Sequence, residues 1–105
     1  MTYMDNTTAT PKITSLKNVV GTSLQGYFNG YFDSLVEVLG EPDFSDGDKV
    51  SCEWAVTIGG TPVTVYNWKD SSDPRSNNVW HIGGTGEMAV HALAMVMPTG
   101  CASVR

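Results

Sequence analysis

The stretch KVSCEWAVTIGGTPVTVYNWK, Lys49 to Lys69, decides the fold. In its first half Val50, Cys52, Trp54, Val56 and Ile58 alternate with Lys49, Ser51, Glu53, Ala55 and Thr57. A period of two belongs to a strand with one covered face, so the first set is expected to point into the core. Gly59-Gly60 is a hairpin signal, since a primed two-residue turn needs positive φ at both central positions. Thr61-Pro62 then leads into a returning strand, Val63 to Lys69, which alternates again and sets Tyr66 and Trp68 on one face.

Downstream, DSSDPRSNN (70–78) is a polar loop, and Val79 to Ile82 reads as a third antiparallel strand. Gly83-Gly84-Thr85-Gly86 turns the chain into a helix over Glu87 to Met97, with Met88, Ala92, Leu93 and Val96 toward the core. Upstream, Asn29 to Leu39 has helical spacing: Tyr31, Leu35 and Val38 share a stripe that Phe32, Val36 and Leu39 widen. Asn29 is placed to cap this helix and Gly40 to end it with positive φ, while Pro42 forbids continuation. Val19 to Phe28 contains Gly21 and Gly26 and reads as a strand with a bend. Residues 1–11 are polar and threonine-rich, a loose tail before a single globular domain over 12–105. The expected class is α+β: an antiparallel sheet of three to four strands, one helix before it (about 29–39) and one after it (about 86–97).

The chain has six Lys and Arg against eleven Asp and Glu, a net charge of −5. The cations are scattered, which argues against a direct phosphate track on nucleic acid. No run reaches the roughly 18 apolar residues of a membrane span, and the N-terminus lacks a secretory pattern, so a cytoplasmic setting is expected. Cys52 falls in the alternating strand and reads as a buried thiol. Cys52, Cys101, His81 and His91 have no zinc spacing, so neither metal nor cofactor is expected.

Two features can carry binding. The first is the strand–glycine–helix corner, Gly83, Gly84, Thr85 and Gly86. It is either a tight turn with Thr85 as an ordinary cap, or a cradle whose unpaired N–H groups and helix dipole hold an anion. In the second case Lys69 and Arg75 would supply charge, and Trp80, His81, Tyr66 and Trp68 would stack on a base. It matches neither a phosphate-loop nor a dinucleotide pattern. The second is the acidic run Glu41, Asp43, Asp46 and Asp48, either a solvated turn or a contact surface for a basic partner, with Tyr66 and Trp68 as aromatic anchors. His81 with Asp33, Glu37 or Glu53 is the acid–base pairing available to a hydrolase, but nothing in the spacing unites them. A sheet face or free edge also suits a homodimer.

The ordered series TSLQGY (22–27), YFDSLVEVLGEP (31–42), DGDKVSCEW (46–54), VYNWK (65–69) and WHIGG (80–84) resembles a family of small phage-encoded proteins of unassigned role. The likeness runs from about residue 20 to 97. It implies an accessory protein acting in the bacterial host cytoplasm, and transfers no catalytic residue. A helix ending in L-G-x-P before aromatic-rich strands is also similar in architecture to small inhibitor domains of the β-lactamase-inhibitor-protein kind.

The expected function is a non-enzymatic phage protein that counters a bacterial defence by binding. It would block a defence protein such as a CRISPR effector, or sequester a nucleotide signal. The alternatives are a small hydrolase using His81 and a virion or assembly component.

Overall fold

The computed structural model describes residues 11–16, 22–45, 51–67 and 73–105. The elements in chain order are β1 (Ile13–Ser15), β2 (Ser23–Asn29), α1 (Phe32–Leu39), β3 (Asp43–Ser45), β4 (Ser51–Ile58), β5 (Thr61–Tyr66), a 3-10 turn (Pro74–Ser76), β6 (Val79–Gly84), α2 (Met88–Val96) and β7 (Cys101–Val104). The class is α+β, with a single antiparallel sheet in the order β1-β4-β5-β6-β2-β7 and β3 also pairing with β4.

Seven strands replace the three to four expected, because β1, β3 and β7 are too short to show alternation. They form because β4 and β2 have free edges whose backbone groups need partners. β3 falls in the acidic run read as a turn, and pairs Asp43 with Glu53.

The hairpin matches its expectation. Ile58 faces Thr61 across Gly59 and Gly60, whose φ values are 58° and 87°. Cys52, Trp54, Val56 and Ile58 are all buried, whereas Lys49 and Val50 lie outside the described residues. β2 carries the expected bend as a register shift between Leu24 and Gly26.

Cross-strand partners share a face, so Trp54, Val65, Ile82, Trp80 and Phe28 point the same way. Both helices pack on that side. α1 buries Phe32 and Leu35, and the Phe32 ring lies 5.7 Å from Trp54 and 6.4 Å from Trp80. The two indoles also hold the helix by its ends: Trp80 Nε1 donates to Gly30 O at 3.1 Å and Trp54 Nε1 to Gly40 O at 2.7 Å. α2 buries Ala89, Val90, Ala92 and Leu93.

Three local expectations are corrected. Asn29 does not cap α1: it ends β2 opposite Val79, and Tyr31 takes the cap position without a side-chain bond, so ladder pairing outweighs capping. Tyr31, at that cap, is exposed and the buried stripe centres on Phe32 and Leu35. Met88 is exposed rather than in the core, because α2 starts at Met88 and turns Ala89 and Val90 onto the sheet. Gly40 does end α1 with φ 91°.

Candidate functional site

The opposite side of the sheet carries no described element. Its middle is a cross-strand row read directly from the register: Asp43 on β3 faces Glu53 on β4, Glu53 faces Tyr66 on β5, Tyr66 faces His81 on β6, and His81 faces Tyr27 on β2. The His81 ring sits 5.5 Å from Tyr66 and 5.2 Å from Tyr27, the latter edge-on. Two carboxylates therefore stand at one end of a band of three rings.

Electrostatics follow from that placement. Burial first, and then the facing Asp43, raises the Glu53 carboxyl above its usual 4.5. Burial, then Glu53 and Tyr27, raises the Tyr66 hydroxyl above 10.0. Burial lowers His81 below 6.5, so its imidazole is neutral near pH 7.

Beside the row lies a cleft of about 280 Å³, lined among others by Ser23, Glu53, Thr64, Tyr66, Asn67 and Gly83. Asn67 closes one end: Cys52 N–H donates to its Oδ1 at 2.8 Å and its own N–H donates to Cys52 O at 3.3 Å. The bare Cα of Gly83 forms the floor, since a Cβ there would collide with Thr64 Oγ1 and lie 3.4 Å from Tyr66 Cε1.

The glycine corner is dispersed. Gly83 and Gly84 belong to β6, where they face Leu24 and Ser23, and both are buried. A Cβ on Gly84 would lie 2.5 Å from Ala89 Cβ, so this glycine lets α2 approach the sheet. Of the four corner residues, Thr85 and Gly86 are the exposed ones. Thr85 is not the cap: Glu87 holds that position with no side-chain bond.

Arg75 lies before the other end of β6, with its guanidinium 5.2 Å from the Phe44 ring and 5.9 Å from Phe32. It also meets Asp73 at 3.5 Å. Trp80 is buried in the core, where no base can stack on it. His81 and Tyr66 come together on the open face, and Glu41 and Asp43 are exposed. Lys69, Trp68, Asp46 and Asp48 lie outside the described residues.

Of the acid–base partners considered for His81, Asp33 and Glu37 are on α1 across the sheet, and Glu53 is separated from it by Tyr66. Glu53 and Thr64 were not singled out for binding from the sequence. The strand periodicity already set Glu53 opposite the core, but only the register brings the two beside Tyr66.

Fold and site define a two-layer α+β protein with two helices on one sheet face and an acidic, aromatic cleft on the other. No family model matches the chain, and no curated protein or solved structure matches it. No helix among the described residues is long and apolar enough to cross a membrane.

Proposed function

We propose that the protein acts by binding, without catalysis, and that the open sheet face takes a basic protein partner. The observation that carries this reading is the row Asp43–Glu53–Tyr66–His81–Tyr27. Facing carboxylates on neighbouring strands repel, and a cation brought between them relieves that cost. The rings beside them offer rigid contact area of the kind that dominates protein interfaces. A nucleotide signal fits this face less well, because its phosphates would meet Glu53.

The resemblance to small phage-encoded proteins gives the partner its setting. A bacterial defence protein with a basic nucleic-acid channel, such as a CRISPR effector, has the required charge. The protein would occupy that channel and keep nucleic acid out.

The test starts from tagged protein expressed in bacteria, followed by identification of what it captures. The affinity for that protein is then measured against salt and with Asp43→Lys/Glu53→Lys. Binding should weaken as salt rises, and the double reversal should reduce it by about a hundredfold or more. Unchanged affinity in the reversed protein removes this reading.

A further inference from the structure

The cleft on the open face contains a threonine hydroxyl. Thr64 is only 2% exposed, and it lines the cleft, with its hydroxyl as the part of the side chain set over Gly83. A hydroxyl fixed at the bottom of a cleft by an otherwise buried side chain is one of the placed polar groups by which such a site orients a ligand atom. Thr64 Oγ1 stands over the bare Cα of Gly83, where any side chain would fill the floor. Among the described residues that line the cleft, the charge has one sign. Glu53 supplies a carboxylate, Asp43 adds a second beside it, and no described Lys or Arg lines the space. The Tyr66 ring forms a flat wall.

Resting on the binding role proposed above, we infer that this cleft receives the guanidinium of an arginine side chain presented by the partner. Its plane stacks on the Tyr66 ring, one edge donates to the Glu53 carboxylate, and a further N–H donates to Thr64 Oγ1. A guanidinium suits the site better than an ammonium because it is planar, weakly hydrated and carries five donors in a fixed fork. A phosphate or carboxylate ligand would face the Glu53 carboxylate with no described cation in the lining, and an apolar one would leave the Thr64 hydroxyl unsatisfied.

The experiment is a titration of the whole protein, followed by amide chemical shifts, with N-acetyl-arginine amide and its lysine and norleucine counterparts. The arginine probe should give saturable shifts centred on Glu53, Thr64, Tyr66 and Gly83. It should bind about tenfold more tightly than the lysine probe, with no saturation by norleucine. Glu53→Gln and Thr64→Val should each weaken it about tenfold, with the remaining amide spectrum unchanged. Gly83→Ala should abolish binding by filling the floor. If that variant does not fold, Thr64→Val, which keeps shape and removes only the hydroxyl, carries the same test.

No saturation by the arginine probe up to about 50 mM, equal response to all three probes, or wild-type affinity in Glu53→Gln and Thr64→Val each overturn the inference. Failure here, with partner capture still abolished by Asp43→Lys/Glu53→Lys, discards the guanidinium and keeps the binding face. Failure of both discards the face itself.

Discussion

Single side chains on the open face are set for contact rather than for stability. Thr64 is only 2% exposed, and its hydroxyl borders the cleft. Replacing it by valine exchanges that hydroxyl for a methyl at nearly constant volume, so Thr64→Val should leave stability within about 0.5 kcal/mol of wild type in urea unfolding. A loss of stability would mean that the hydroxyl is bonded within the fold. Asp43 faces Glu53 across β3 and β4, and like charges directly opposite are unfavourable. Asp43→Asn should therefore raise stability by about 0.2–1 kcal/mol, with the gain shrinking in high salt. The thiols divide in the same way. Cys52 is buried and Cys101 exposed, and both are free. A thiol-exchange reagent added to native protein should label one cysteine per chain, Cys101, and two after denaturation.

At the scale of elements, α1 depends on residues far from it in sequence. It has eight residues, too few to be stable alone. Trp54 and Trp80 hold its two ends through Gly40 O and Gly30 O, and Leu35 is fully buried beneath it. Leu35→Ala should cost about 2–5 kcal/mol by leaving a cavity, whereas Trp54→Phe should cost about 1–3 kcal/mol, partly by orphaning Gly40 O. Equal and small losses would show that the helix is held by other contacts. The helices and the β4–β5 hairpin were legible in the sequence because each carries its own periodicity or turn chemistry. β1, β3 and β7 were not, since three or four residues without alternation carry no signal, and each exists only because β4 or β2 offers an edge. The site was legible in part for the same reason. Tyr66, His81 and Asp43 stood out singly, but Glu53 and Thr64 join them only through strand register, which depends on turn lengths and pairing order rather than on any local pattern.

Across the whole molecule, the two sheet faces should answer pH differently, and the alkaline limb gives the sharpest reading. Burial, offset in part by Arg75, pushes the Cys52 thiol from 9.0 up to about 11, and burial, then Glu53 and Tyr27, raises Tyr66 above 10.0. A raised folded value means that the native state holds its proton more tightly than the unfolded chain. The stability each contributes is fully present below the unfolded value and is lost as pH rises through the folded one. The thiol, inside the core, thus erodes stability between about 9 and 11, and the phenol, on the open face, does so from about 10 upward. His81 works in the opposite sense: its value is lowered below 6.5, so its contribution is present above 6.5 and is lost as pH falls. Tm should therefore be highest between these limits. Cys52→Ala should lower Tm at pH 8 through lost packing, yet flatten the decline from pH 8 to 10.5 relative to wild type. Tyr66→Phe should flatten only its upper part. Tm measured at half-unit intervals decides the matter: a decline in Cys52→Ala as steep as in wild type would place the alkaline sensitivity outside the core, and would remove Cys52 as its source.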